Sequence, residues 1–227
     1  MGKHISVAID GPSGAGKSTL AKRVAERFGF VYVDTGAIYR TVGYAAQCAG
    51  VDSKDADAVI ALLPGLDVGY AYDESGTQRM LLGGRDVSEE IRTPKSSLYA
   101  SDVSAIGEVR AFLLQMQRDA AARYDVVMDG RDIGTVVLPD AGLKIFLTAD
   151  AAERARRRLA QLRAKGNTNA SFDEVLRDIE YRDRQDSERA AAPLKAAEDA
   201  VLLDTTAFTL AESVERLCSL VRDRFGL

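Results

Sequence analysis

The sequence is poor in residues that staple or ligate. Among its 227 residues there are two cysteines, Cys48 and Cys218, and one histidine, His4. Two cysteines make no disulfide framework, and both read as packing residues. A lone histidine ahead of a strand builds no metal cluster. No apolar run reaches the roughly 18 residues that cross a bilayer. The N-terminal MGKHISVAIDG carries no long apolar stretch of the secretory kind. Asparagine occurs only at Asn167 and Asn169, so an Asn-Lys-x-Asp guanine-reading motif is excluded. Internal repeats and low-complexity linkers are also missing. These absences lead to the expectation of a soluble protein in a reducing cytoplasm, with no membrane partner.

Hydrophobic residues make up 46% of the chain and charged residues 28%, an ordinary globular composition. At ~150 residues per domain the length gives one or two domains, large enough to bury a core without staples. The net charge is −4, from 30 basic and 34 acidic residues. That sign argues against a general nucleic-acid binder, which needs a positive field. The sum hides a skew, because 22 of the 30 basic residues are arginine, and nine of these lie between Arg154 and Arg189. Arginine is the better fork for phosphate and carboxylate.

The apolar segments alternate between strand and helix patterns. ISVAI (Ile5 to Ile9), FVYV (Phe30 to Val33), VVM (Val126 to Met128), KIFL (Lys144 to Leu147) and VLL (Val201 to Leu203) read as short buried strands. Between the first two, Leu20, Ala21, Val24, Ala25 and Phe28 repeat at helical spacing from Lys17 onward, with Gly29 as C-cap. Asp150 with Glu153, Ser171 with Glu174 and Thr209 with Glu212 have capping-box spacing. The pattern predicts a mostly parallel sheet of five strands covered on both faces. Residues 64–95 break it. Their Gly and Pro turns between short runs predict a small antiparallel insertion. A long Ala-rich helix is predicted from Leu98 to Arg123. Gly166 to Ala170 is expected to form the tip of a mobile hairpin between two arginine-rich helices.

Gly11-Pro12-Ser13-Gly14-Ala15-Gly16-Lys17-Ser18 fits the phosphate-loop pattern G-x-x-x-x-G-K-[ST] between a strand and a helix. There backbone N–H groups and the helix N-terminus converge on phosphate. Lys17 is expected to reach the β- and γ-phosphates, and Ser18 to ligate Mg²⁺. After the second strand comes Asp34-Thr35-Gly36-Ala37-Ile38-Tyr39-Arg40, at a strand end where ligands bind. After the third comes Asp129-Gly130-Arg131-Asp132, with Asp129 placed to orient Mg²⁺ or its waters. Each of these could instead be a local cap beside an exposed arginine. On the later helices, Ala155, Leu159 and Leu162 form an inward face, and Arg154, Arg157 and Arg158 share another. Beyond Val175, Leu176 and Ile179, the residues Arg182, Asp186 and Arg189 align at helical spacing. A lid over phosphates and a solvated face with weak ion pairs both fit that pattern. The phosphate loop favours the lid.

IDGPSGAGKST (Ile9 to Thr19), DTGAIYR (Asp34 to Arg40), VSEEIRT (Val87 to Thr93), DGRDIGTVV (Asp129 to Val137), KIFL (Lys144 to Leu147) and RAAAPL (Arg189 to Leu194) resemble, in order and over nearly the whole chain, the bacterial cytidylate kinases. The resemblance implies the α/β fold of the P-loop nucleoside monophosphate kinases, with a five-stranded parallel sheet, a small antiparallel insertion over the monophosphate site and a short helical lid. It implies one kinase domain over 1–227: a core of about 1–63, 96–153 and 190–227, the insertion at 64–95 and the lid at 154–189. It implies transfer of the γ-phosphate of ATP to CMP or dCMP with Mg²⁺, which Ser18 ligates and Asp129 holds through water. The loop from Gly11 to Thr19 would bind ATP. Arg40 and Arg131 would hold the acceptor phosphate, and Ser101, Arg110 and Asp132 would read the cytosine. Thr35 and Asp129 would join that site, and Arg182, Asp186 and Arg189 would reach the sugar and phosphate. Lys17, Arg154 and Arg158 would attend the transferring group, with Arg131 and Arg189 beside them. Thr35 stands where many members have serine, which keeps the hydroxyl. A kinase for another small acceptor (another monophosphate, or shikimate) and a nucleotide-dependent switch protein are the alternatives. A monomer is the default expectation.

Overall fold

The computed structural model describes residues 4–164, 166 and 169–227. In chain order its strands are β1 (Ser6–Asp10), β2 (Val31–Asp34), β3 (Val68–Tyr72), β4 (Gln78–Leu82), β5 (Arg85–Asp86), β6 (Val126–Gly130), β7 (Leu143–Thr148) and β8 (Val201–Asp204). The helices are α1 (Lys17–Phe28), α2 (Thr35–Cys48), α3 (Ala56–Leu62), α4 (Pro94–Ser104), α5 (Gly107–Arg123), α6 (Ala151–Ala164), α7 (Phe172–Glu188) and α8 (Leu210–Phe225). Five strands form one sheet in the order β2-β6-β1-β7-β8, and every neighbouring pair is parallel, as the alternation predicts.

The central strands β1 and β6 are buried along their whole length. That is why they read as unbroken apolar runs rather than alternating ones. Side chains still alternate between faces. Val7 and Ile9 pack with Leu20 and Val24 of α1 and Leu217 and Val221 of α8, whereas Ala8 and Met128 pack on the other face with Ala120 of α5. From β1 the chain moves to β2 on one side of the sheet, and later fills β7 and β8 on the other. A crevice therefore opens beyond the carboxyl ends of the strands.

The segment 64–95 folds as the antiparallel sheet β3-β4-β5. It packs Val68 and Met80 against Ile38 and Val42 of α2 and Val103 of α4. Gln78 fastens it to the main sheet by accepting from the Asp34 backbone N–H at 2.8 Å. A second small cluster, Ala155 and Leu159 with Val175 and Ile179, joins α6 to α7.

Several expectations need correction. The single helix from Leu98 to Arg123 is two helices, broken where Ile106 is extended (φ −82°, ψ 120°). The first begins earlier, at Pro94, capped by Thr93, which accepts from the Ser96 N–H. The break lets Ile106 pack against the α2–α4 core, and it lets Arg110 donate back to the Ser104 carbonyl at 3.1 Å. Capping boxes form at Ser171/Glu174 and Thr209/Glu212. At Asp150 only half of the box forms: the carboxylate accepts from the Ala152 and Glu153 N–H groups at 2.8 and 3.4 Å, while the Glu153 side chain is taken up by Arg156 and Arg157 and the Asp150 N–H goes to Thr206. Cys218 is buried but Cys48 is exposed, so only the first is a packing residue. The hairpin tip expected at Gly166 to Ala170 falls largely on residues outside those described. Among the described residues no helix is long and apolar enough to cross a membrane.

Candidate functional site

The phosphate loop turns sharply out of β1. Gly11 has φ +148°, and a Cβ there would lie 1.9 Å from the Leu147 carbonyl oxygen of β7, so only glycine fits. Gly16 opens α1 from the left-handed region, at φ 90°. Pro12 and Ala15 are buried, whereas Ser13, Gly14, Gly16, Lys17, Ser18 and Thr19 line a cavity of about 300 Å³. Lys17 folds back over the loop, donating from Nζ to the Gly11 and Pro12 carbonyls at 2.7 and 2.8 Å. Burial, with Arg131 nearby, pushes its ammonium down to about 7. An anion in the loop would reverse both effects.

Ser18 Oγ donates to Asp129 Oδ2 at 2.9 Å, and Tyr32 Oη donates to Oδ1 at 2.8 Å. Burial and the neighbouring Asp34 push the Asp129 carboxyl above its ordinary range. A cation between Ser18 and Asp129 would relieve that strain. Among the described residues no group of three or more His, Cys, Asp or Glu builds an all-protein cage. Two hard oxygen donors beside a phosphate loop instead suit Mg²⁺, which keeps waters and substrate oxygens in its shell.

Elsewhere in the cavity lining, Arg40 pairs with Asp34 at 2.9 Å. Asp34 also caps α2 through the Ala37 N–H at 2.8 Å. Arg40 Nε is buried with no partner, an open donor next to the cavity. Thr35 lines the cavity too, but its hydroxyl donates to the Asp129 carbonyl at 2.7 Å. Arg131 Nε donates to Asp186 Oδ2 at 2.7 Å. Arg189 lies 3.5 Å from Asp132 and 3.8 Å from Asp186. It extends from the turn after α7, where Ala192 adopts φ 50° and Arg189 Nε donates to its carbonyl. Arg110 is paired with Asp132 and lies over the Tyr39 ring at 5.4 Å. Ser101 donates to Gln185 of α7 at 3.2 Å.

The cavity thus gathers Lys17 and seven arginines (Arg40, Arg110, Arg131, Arg157, Arg158, Arg182 and Arg189) against four carboxylates, Asp34, Asp129, Asp132 and Asp186. Burial and the nearby Arg131 push Arg182 down to about 10. In a chain of net charge −4 this is a concentrated positive field with room for a polyanion.

Of the sequence-predicted residues, Arg154 alone among the arginines is kept out of the cavity. It is 6% exposed and donates to the carbonyls of Ala149 and Ser13 and to Asp183. Sequence reasoning missed Asp34, Tyr39 and Ser104 in the lining, Tyr32 on Asp129, and Asp10. The Asp10 carboxylate accepts from the Ile133 and Gly134 N–H groups at 2.8 and 2.7 Å, just beyond Arg131 and Asp132. Tyr39 and Asp34 stand inside DTGAIYR. Nothing local marks Asp10, since its partners lie more than 120 residues away.

The family model described as cytidylate kinase matches residues 7–223. A cytidylate kinase of Caldicellulosiruptor saccharolyticus is 46% identical over 218 residues, covering 96% of each chain. A cytidylate kinase of Geobacter sp. is 49% identical over 222 residues, covering 98% of this chain and 94% of the other. A solved gluconokinase from Sinorhizobium meliloti aligns with 100% of this chain and 97% of its own, at a TM-score of 0.50 and 14% identity, a likeness of fold alone.

Proposed function

The chain belongs to the cytidylate kinase family, and from that membership we propose how its residues divide the work of the reaction. The protein is a kinase that transfers the γ-phosphate of ATP to CMP or dCMP, giving ADP and CDP or dCDP. The observation that carries the residue assignment is one cavity with a phosphate loop at one wall and a second set of arginines at the other.

The phosphate loop, Gly11 to Thr19, takes the ATP phosphates, and Lys17 exchanges the Gly11 and Pro12 carbonyls for phosphate oxygens. Ser18 and Asp129 would hold Mg²⁺, which would supply charge neutralisation of the ATP phosphates. Arg40 and Arg131 hold the acceptor phosphate, with Thr35 shaping the wall beside them. Asp132, Arg110 and Ser101 face the base. Asp132 accepts from the cytosine amino group and Arg110 donates to a ring acceptor. Asp186 and Arg189 reach the sugar and phosphate. The acceptor phosphate is already an anionic nucleophile, so no strong general base is required. One of its oxygens forms the new bond to the γ-phosphorus as the bond to the β-bridging oxygen breaks, and that electron pair leaves on ADP. What the site must supply is alignment of two polyanions and stabilisation of the transferring group, which falls to Lys17, Arg131, Arg158, Arg182 and Arg189.

We read 64–95 as the insertion that shapes the acceptor site and 154–189 as the lid. We propose that the protein works as a monomer. Small nucleotides in the cytoplasm are its proposed partners, with neither nucleic acid nor membrane among them. Product analysis tests the reaction class. A kinase yields ADP and a new diphosphate in equal amounts and stops when Mg²⁺ is chelated. ADP with free inorganic phosphate, and no diphosphate product, would identify a nucleotide switch instead.

A further inference from the structure

Asp183 lies on the face of α7 turned toward the phosphate loop. Its Oδ1 accepts the Ser13 backbone N–H at 3.0 Å, and its Oδ2 accepts Arg154 Nη1 at 2.6 Å. The same Nη1 donates to the Ser13 carbonyl at 2.7 Å, and Arg154 Nε holds the Ala149 carbonyl at 2.8 Å. The three residues close a ring in which one residue of the loop, Ser13, is gripped at both its backbone N–H and its carbonyl, so the peptide units on either side of it are held. The neighbouring Gly14 lies against both lid helices, since a Cβ there would meet Arg154 Cβ and Ile179 Cδ1 at 3.4 Å. Side-chain exposure is 7% for Arg154 and 20% for Asp183, so their attraction is less screened by water than that of a surface pair, and removing one partner leaves the other buried and unpaired.

The position of Asp183 in α7 gives the ring its meaning. Arg182 precedes it and faces the cavity. Asp186 follows about one helical turn later and holds Arg131 at 2.7 Å. The helix is therefore fixed at two points, to the donor loop through Asp183 and to the acceptor-side arginines through Asp186. We infer that Asp183 is a positioning residue for phosphoryl transfer: by tying α7 to Ser13 and Arg154 it sets the Arg182 guanidinium between the donor and acceptor phosphates. Arg154, buried behind the loop, belongs to the same device and acts through the loop rather than on the substrate. The inference rests on reading the cavity as a site for two nucleotides.

The test is a double-mutant cycle joining Asp183→Ala and Arg182→Met, with kcat and both KM values measured. Asp183→Ala is expected to lower kcat about tenfold while the KM values for ATP and CMP move less than about threefold. In the Arg182→Met background it should remove less than about a further twofold, because the two residues act as a unit. Asp183→Asn keeps an oxygen for the Ser13 N–H but loses the charge facing Arg154, so its kcat should fall between wild type and alanine. It carries the test if the alanine variant does not fold. A single-variant kcat within about twofold of wild type, or losses that multiply in the double variant, would overturn the inference. Wild-type turnover of CMP in the same assay keeps the two readings apart. If the wild type makes no CDP, the two-nucleotide site fails, whereas normal wild-type turnover with a normal Asp183 variant sinks only the positioning role.

Discussion

At the end of β1 one carboxylate holds the turn that presents Arg131 and Asp132. Asp10 accepts two backbone N–H bonds there, from Ile133 at 2.8 Å and from Gly134 at 2.7 Å. Asparagine keeps the shape but offers one acceptor oxygen, so one of these buried N–H groups faces an NH₂. Leaving a buried donor unmade costs about 1–3 kcal/mol. A second effect opposes it. Burial raises the Asp10 carboxyl to about 6, from 3.8, against the lowering by its two amide bonds. Its contribution to stability is thus fully present below the unfolded pKa and is lost as pH rises through about 6. A rise of about two units means that the ionised carboxylate destabilises the fold by about 3 kcal/mol at pH 8. Asparagine removes that burden, so the two melting temperatures should lie close together at pH 8. At pH 5 the wild type regains about 1–1.5 kcal/mol relative to the variant, or about 2–6 °C. Turnover should behave differently. A slack turn misplaces Arg131 and Asp132, and an error near 1 Å can cost about 10²-fold, so kcat/KM for CMP should fall about 10- to 100-fold in Asp10→Asn. Melting curves at pH 5 and pH 8 with a coupled ADP assay read both. A melting-temperature difference that ignores pH, or a kcat/KM within about twofold of wild type, would mean that Asp10 does not hold this turn for catalysis.

Three further outcomes are expected. Asp132→Ala should erode the preference for CMP over other monophosphates more than it raises the KM for ATP, and a substrate panel on the variant reads this; an unchanged base preference would contradict the assigned role. Gly43→Ala places a Cβ 2.9 Å from Tyr99 Cβ and 3.0 Å from the Ala100 nitrogen, where α2 crosses α4, and should destabilise by about 1–3 kcal/mol, read from denaturant midpoints. Ser18→Ala should raise the Mg²⁺ concentration for half-maximal rate, and because it removes a donor from the buried Asp129 carboxylate it should also lower stability without metal by about 1 kcal/mol, read from denaturant midpoints.

The elements most legible in the sequence are those whose signals are local. Helix α1 runs from Lys17 to Phe28 as predicted, because a glycine loop before it and Gly29 after it mark both ends. The break at Ile106 was not legible. An Ala-rich stretch carries helical periodicity straight through it, and what ends α4 is the packing of Ile106 and the reach of Arg110 to Ser104. In the site, the three charged motifs were readable because each follows a strand, and strand ends in a parallel sheet open onto the ligand crevice. The sorting of the arginines was not. Spacing puts Arg154 with Arg157 and Arg158, but only the fold places the first under the phosphate loop and the other two in the cavity. Asp10 and Asp183 act through backbone groups more than 120 residues away in the chain, and no sequence pattern records such a contact.

One cavity that binds ATP and a cytosine monophosphate together should move phosphate between them and discriminate by base. Initial rates with Mg-ATP and a panel of CMP, dCMP, UMP, AMP and GMP read this. CMP and dCMP should be the fastest acceptors, with ADP formed in step with CDP or dCDP. Faster turnover of UMP, AMP or GMP than of CMP would show that the cavity is not built for cytosine.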